Sequence, residues 1–311
     1  MQIKKQIYYW ASDISENSGE GILANSFINN YLKNNQNVNF KNINFKDKFQ
    51  KKNFFNLNKK RYETIFHKYI YPIIGVLKLW IIFIKNKKTC YINYLPLWNF
   101  LIFLLLPPKT LIGPITGNIY NKKKYSLFFN FFEIISLFII SIRFKEVIFS
   151  HNFYNIKYNL NKSKFKRNFI LKDFFYKKKN KRKKYDFIIY FRKNSKLNIK
   201  YILGIINKLN SFNCNIAVIG DKIKIKGCKN FGYIPRDKAN KIISISKFAI
   251  ANPENLYSYF VQDCISNHVT VFYNSFFNKY NIFNKSKMVP IFFKSAEFDY
   301  KIIKKYIKKK Y

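Results

Sequence analysis

Apolar positions along this chain fall into short runs separated by polar loops, and the spacing within the runs predicts the elements. QIYYWA (6–11) has strand length and is followed by SDISENSGEG (12–21), a loop rich in Ser, Asn and Gly. GILANSFINNYLKNN then sets Ile22, Phe27 and Leu32 at roughly helical spacing, and NVNFKNINF (37–45) alternates as a strand does. Strand, glycine-bearing loop and helix form the first unit of a doubly wound α/β domain. KKTCYINYL (87–95), KTLIGPITG (109–117) and KEVIFSHN (145–152) predict further strands, the second feeding a loop at GPITGNIY. The same alternation returns later. Strands are predicted in YDFIIYFRKNSKLN (185–198), CNIAVIGD (214–221), KGCKNFGYIP (226–235), FAIANP (248–253) and VTVFYN (269–274). Helices are predicted in IKYILGIINKLNSF (199–212) and RDKANKIISISK (236–247), and ENLYSYFVQDCISNH (254–268) reads as a loop plus helix.

Three stretches are unusually apolar: YPIIGVLKLWIIFI (71–84), LPLWNFLIFLLLPP (95–108) and YSLFFNFFEIISLFIISIRF (125–144). The first two are about 14 residues each, short of the roughly 20 needed to span a bilayer. The third is long enough but carries Glu133, Ser136 and Ser141, so a buried or interfacial helix is expected over 125–144 rather than a span. KDFFYKKKNKRKKYD (172–186) is a charge run placed where an interdomain link belongs.

Composition changes this picture in two ways. At 311 residues and 48% hydrophobic content, the chain suits two domains, each with its own core. The formal charge of +43 arises from 58 Lys+Arg against 15 Asp+Glu. Lys, Asn, Ile, Phe and Tyr are enriched together, the mixture that AT-rich codons produce, and the basic residues are spread everywhere. No specific nucleic acid is therefore expected as a partner, whereas anionic ligands and an anionic membrane surface are. Cys90, Cys214, Cys228 and Cys264 show no C-x-x-C pair and read as reduced packing residues of a cytoplasmic protein. His67, His151 and His268 are scattered, and no two Asp lie two apart, so neither a metal nor a cofactor is expected. MQIKKQIYYWASD has no signal-peptide apolar core before Asp13.

Candidate chemistry sits where loops follow strands. In the second half these positions hold Arg192 and Lys196, Gly220 and Asp221, Gly232 and Tyr233, and the stretch from Glu254 to Asp263. Cations after the first strand suit a diphosphate, which needs charge-assisted donors. Asp263, near a helix start, suits a ribose diol, and Glu254 suits sugar hydroxyls.

Taken in order, the strand followed by Arg and Lys, then IAVIGD, NFGYIPRDKANKIISISKFAIANP and ENLYSYFVQDCISNHVTVF resemble the nucleotide-sugar domain of family 4-like glycosyltransferases. In the first half, SENSGEGILANSFINNYLKNNQNVNF resembles that family's glycine-rich loop and helix, and IGPITG a Gly-Pro-x-x-Gly loop of some members. The resemblance covers most of residues 3–275. It implies an α/β chain of the GT-B fold, with two Rossmann-like domains facing a central cleft: an acceptor-binding domain over 1–170 and a nucleotide-sugar domain over 171–290. A C-terminal basic helix over 291–311 has the N-terminal domain as one surface to pack back on. It further implies a hexosyltransferase-type enzyme that is retaining and metal-independent. The donor is a nucleotide-diphosphate sugar, the acceptor a glycan or lipid-linked acceptor of the cell envelope, and the location the inner membrane face. Carried over residue by residue, Glu254 is the catalytic candidate, and Arg192, Lys196, Gly220, Tyr233, Glu254, Asn255, Leu256 and Asp263 bind the donor. Gly19, Glu20, Gly21, Gly113, Thr116 and Gly117 form the acceptor-side loops. The two acids lie nine apart rather than the family's eight, Asn255 occupies the matching position, His268 replaces the usual glycine, and an N-domain His near 114–117 is missing. Two alternatives stay open: a non-catalytic nucleotide-sugar-binding relative and an integral membrane protein.

Overall fold

A computed structural model describes residues 5–12, 19–34, 37–43, 70–116, 123–149, 166–167, 182–192, 199–222, 225–254, 256–281, 283 and 285–310. The chain divides into two compact units, Met1–Asp173 and Phe174–Tyr311.

The first unit runs β1 (Lys5–Ala11), α1 (Gly19–Asn34), β2 (Val38–Asn42), α2 (Tyr71–Ile84), β3 (Lys88–Pro96), α3 (Phe100–Leu105), β4 (Leu111–Thr116), α4 (Lys123–Arg143), β5 (Val147–Phe149) and β6 (Lys166–Arg167). Its strands pair in parallel in the order β2-β1-β3-β4-β5-β6, so the order reverses between β1 and β3. Parallel strands are covered on both faces, which is why β1 reads YYWA without alternation and buries all four residues. Trp10, Tyr91, Ile112 and Val147 form one core with Val76 and Leu79 of α2, Ile102 and Phe103 of α3, and Ile140 of α4.

Two boundaries differ from the sequence expectation. Gly19, Glu20 and Gly21 begin α1 rather than ending the loop before it. Gly113 lies in the body of β4, where a Cβ would stand 2.6 Å from Cε2 of Phe27, so a glycine there lets α1 approach the sheet. The 95–108 stretch is also not one element. Pro96 ends β3, and the remainder turns and forms the short α3.

The second unit runs β7 (Tyr185–Phe191), α5 (Ile199–Asn210), β8 (Ile216–Gly220), β9 (Cys228–Gly232), α6 (Arg236–Ser244), β10 (Ser246–Ile250), α7 (Tyr259–Ser266), β11 (Thr270–Asn274), two 3-10 turns, β12 (Met288–Ile291) and α8 (Ala296–Lys310). All strands are parallel in the order β12-β11-β10-β7-β8-β9. The order reverses between β7 and β10, and in open α/β sheets the crevice outside the carboxyl ends at such a reversal is where ligands bind. Helix α5 buries Tyr201, Ile202, Ile205, Ile206 and Leu209 at helical spacing against Phe187, Ile189 and Val218. The C-terminal helix α8 adds Tyr300 and Ile303 to this same core. It is fastened by Asp299, which is fully buried and accepts hydrogen bonds from the Tyr201 hydroxyl (2.7 Å) and the backbone N–H groups of Phe292 (2.8 Å) and Phe293 (2.7 Å).

Candidate functional site

The carboxyl ends of β7, β8 and β9 bring three polar side chains together. Arg192 follows β7 directly, Asp221 follows β8, and Tyr233 follows β9. The Tyr233 side chain is hydrogen-bonded to Arg192. Burial works against the Arg192 charge, but Tyr190, Tyr233 and Asp221 outweigh it and push its pKa up. The guanidinium is thus a permanent cation with its orientation fixed from one side, while the residue keeps substantial exposure.

Gly220 makes this arrangement possible. Its φ of +104° belongs to glycine, and a Cβ there would stand 2.1 Å from the Phe191 carbonyl oxygen. That carbonyl instead accepts a hydrogen bond from the Asp221 N–H at 2.9 Å, which keeps the ends of β7 and β8 together.

On the other side of the reversal, the loop after β10 carries Glu254, which is exposed. Its course is set by two asparagines at strand ends. Asn252 is buried and accepts a hydrogen bond from the Glu254 N–H on Oδ1 at 2.9 Å. Asn274, the last residue of β11, donates from Nδ2 to the Pro253 carbonyl at 3.1 Å and accepts from the Phe276 N–H at 3.1 Å. Further on, Ser258 caps α7 by accepting from the Val261 N–H, and Gln262 Nε2 donates to the Tyr257 carbonyl at 2.8 Å. Glu254 therefore rests on a braced loop.

The remaining donor-side candidates are placed differently. Leu256 is 1% exposed, so its side chain belongs to the core. Asp263, expected to meet a ribose diol, is 3% exposed and uses both carboxylate oxygens on Arg236, at 3.0 Å from Nε and 2.5 Å from Nη2. This placement has a simple cause. Asp263 falls in the second turn of α7 on its inward side, beside Cys264, Val261 and Phe260, all buried. A carboxylate there needs a partner within the fold, and α6 supplies one. Burial pushes the Asp263 carboxyl up, against the pull of Arg236, with Asp237 adding to the rise. The Arg236 guanidinium also lies 4.8 Å from the Tyr259 ring centroid, so it ties α6 to the start of α7.

Lys196, Asn255 and Gly117 lie outside the described residues, as do His67 and His151. In the first unit Gly21 is buried in α1, Gly113 is buried in β4, and Thr116 ends β4. Gly19 and Glu20 open α1. Among the described residues no group of three His, Cys, Asp or Glu is placed to hold a metal ion.

Reading the sequence did not single out Arg236, Asn252 or Asn274. Each had a usable signal: Asn252 and Asn274 follow apolar strand runs directly, and Arg236 is the first basic residue after the Tyr-Ile-Pro turn. His268, the replacement for a glycine, has φ +56° at the C-terminal end of α7, where the Val269 N–H donates to the Cys264 carbonyl at 2.8 Å. The left-handed backbone is what a glycine at this position would satisfy.

No protein-family model matches the sequence, and no curated protein matches it. Solved structures do match. Anabaena Alr3699/HepE in complex with UDP and glucose gives a TM-score of 0.52 at 9% identity, covering 98% of this chain and 90% of that one. The spinosyn forosaminyltransferase SpnP gives 0.48 at 6% identity, over 86% and 80%. E. coli heptosyltransferase WaaC with ADP-2-deoxy-2-fluoro heptose gives 0.40 at 8% identity, over 99% and 100%. Two parallel six-stranded sheets with helices between the strands, together with the HepE likeness, establish an α/β fold of the GT-B type.

Proposed function

We propose that this chain is a glycosyltransferase that moves a sugar from a nucleotide-diphosphate donor to a glycan or lipid-linked acceptor of the cell envelope. The observation that carries the proposal is the placing of Arg192, held by Tyr233, and Glu254, braced by Asn252 and Asn274, on either side of the strand-order reversal between β7 and β10. Glycosyl transfer breaks the bond between the sugar and the β-phosphate, and charge builds on the departing diphosphate. A fixed guanidinium at that point stabilises the departing group more than the bound donor, which is what lowers the barrier. Glu254 accepts hydrogen bonds from sugar hydroxyls and orients the ring. Asp263 serves as a positioning residue through Arg236, by fixing α7 and the loop before it. Retention of configuration belongs to the same reading and rests on the family resemblance, and independence from metal rests on the sequence having no two Asp spaced two apart.

The test is a thermal-shift titration with UDP, GDP, ADP and their sugars, beginning with UDP-glucose because HepE was crystallised with UDP and glucose. One nucleotide at 100 times its dissociation constant is expected to stabilise by about 2.7 kcal/mol. Arg192→Ala should abolish that shift, and Glu254→Gln should retain most of it while losing sugar transfer. Equal stabilisation by every polyanion, unchanged in Arg192→Ala, would sink the reading.

A further inference from the structure

Helices α2, α3 and α4 form one layer over the first sheet, with α3 touching both neighbours. Their inner faces build the core around Trp10 and Tyr91. Their outer faces are apolar as well. Ile70, just before α2, and Ile73, Leu77, Ile81 and Ile84 recur every three or four residues and are all exposed. Leu101, Leu104 and Leu105 continue the surface on α3, and Leu127, Phe128, Phe131, Ile134, Phe138 and Ile142 complete it on α4. Each of these 14 side chains is 44% to 77% exposed. Together they leave on the order of 1,000 Å² of apolar surface, above the roughly 300–600 Å² of the largest patch on an ordinary monomer.

Helix α4 is inverted relative to a helix sorted by water. Its acid Glu133 (3% exposed) and Ser136 (0%) point inward, while Phe128, Phe131 and Phe138 point outward and Phe129 and Phe132 pack against Trp98 and Phe100 beside α3. A helix that is apolar on its outer face belongs against a core or a bilayer. Among the described residues, no helix is long and apolar enough to cross a membrane.

The border of this surface is charged. Lys85, Lys87, Lys88, Lys109 and Lys145 are exposed; Lys88 opens β3 and the others lie just before β3, β4 and β5, with Lys87 Nζ donating to the Tyr8 hydroxyl at 3.4 Å. The register pairs Cys90 with Leu111 and Ile112 with Val147, which sets Lys88, Lys109 and Lys145 along one edge of the sheet. The Lys109 N–H also donates to the carbonyl of Arg143, at the end of α4, at 3.0 Å. Long cationic side chains beside an apolar face reach to lipid headgroups while their stems remain in the apolar layer.

We infer that the outer face of α2, α3 and α4 docks in the plane of an anionic lipid bilayer, with the apolar side chains at the acyl boundary and the Lys85–Lys88, Lys109 and Lys145 edge on the headgroups. Charge complementarity selects this occupant over a second copy of the chain, which carries the same positive charge of +43. The inference does not depend on the sugar-transfer reading.

Sedimentation of the full chain with vesicles of phosphatidylcholine, alone or mixed with phosphatidylglycerol, tests it. Binding should require phosphatidylglycerol and weaken with salt. Phe131→Asn with Phe138→Asn should reduce it roughly tenfold or more, since each ring gives up an apolar contact. Leu77→Asn with Ile81→Asn on the neighbouring helix should do the same, and both pairs should retain the parent melting temperature because the changed side chains are exposed. Neutralising Lys85, Lys87 and Lys88 to Gln should cost roughly fivefold per charge. Donor stabilisation by nucleotide should be unchanged in all of these, so a failure here is distinct from a failure of the sugar-transfer reading. Binding that follows charge alone and survives both Asn pairs would mean bulk electrostatics and overturn the inference. So would absence of vesicle binding, or a dimer in solution that Phe131→Asn dissociates.

Discussion

The two units cover their sheets with opposite kinds of helix. In the second unit α5 turns Tyr201, Ile202, Ile205, Ile206 and Leu209 inward and leaves Lys200 and Asn207 outside. In the first unit α4 turns Glu133 and Ser136 inward and leaves Phe131 and Phe138 outside. Both helices were drawn from the same Phe-, Ile- and Lys-rich composition. The second unit therefore acts as an internal control. Among its described residues only Ile199, Phe212, Tyr233, Phe292 and Phe298 are large, apolar and exposed, and apart from the touching rings of Phe292 and Phe298 they form no helix-long stripe. Composition bias puts apolar residues into the chain, but it does not decide which way they face. The continuous outer surface of α2, α3 and α4 is a property of that layer.

The largest effect that would test this comparison is in the second unit, where buried charge has to be paired. Arg236→Ala leaves Asp263 as a buried carboxylate without its cation and should cost about 3–5 kcal/mol at neutral pH in a urea melt. Its sign with pH follows from burial, which already pushes the Asp263 carboxyl up. A folded state with the raised pKa holds a proton that the unfolded chain has released, so stability rises as pH falls through that window. The Arg236→Ala deficit should accordingly shrink on acidification. A deficit that is independent of pH would mean that packing, not charge, is what Arg236 supplies.

A matched pair of truncations addresses the comparison directly. Ile205→Ala on α5 should cost about 2–5 kcal/mol, because a fully buried side chain leaves a cavity. Phe131→Ala on α4 removes a larger side chain and should change stability by no more than about 0.5 kcal/mol in the absence of lipid. Equal costs would show that the α4 face is covered in solution and end the contrast between the layers.

The smallest effect concerns His268, whose backbone has a visible reason to prefer glycine. His268 at φ +56° is in the left-handed region, and His268→Gly should raise stability by about 0.5–1 kcal/mol, the relief of strain less the added freedom of the unfolded chain. No gain would mean that contacts of the His268 side chain compensate for the backbone.

Much of the candidate site was legible along the chain because position after a strand is a local property. Arg192, Gly220, Tyr233 and Glu254 each follow a short apolar run, and parallel strands put such residues at one edge of a sheet. What Asp263 touches was not legible. Its partner Arg236 lies 27 positions away on another helix, and an acid near a helix start looks the same in sequence whether it faces ligand or core.

The sequence by itself determined the elements and their alternation, since hydrophobic period and turn residues act within a few positions of each other. It also predicted that 71–84, 95–108 and 125–144 are too short or too interrupted for spans, and among the described residues no helix is long and apolar enough to cross a membrane. Only the tertiary structure decided which strands became neighbours, and with them the reversal between β7 and β10 that sets Arg192 and Glu254 on either side of it. Only it decided that α4 buries Glu133 and Ser136 and exposes Phe128, Phe131 and Phe138. Which side of a helix faces inward depends on what the rest of the chain brings against it: Ser126, Asn130, Glu133 and Ser136 recur at helical spacing in the sequence, and that period alone does not say whether such a stripe meets core or solvent.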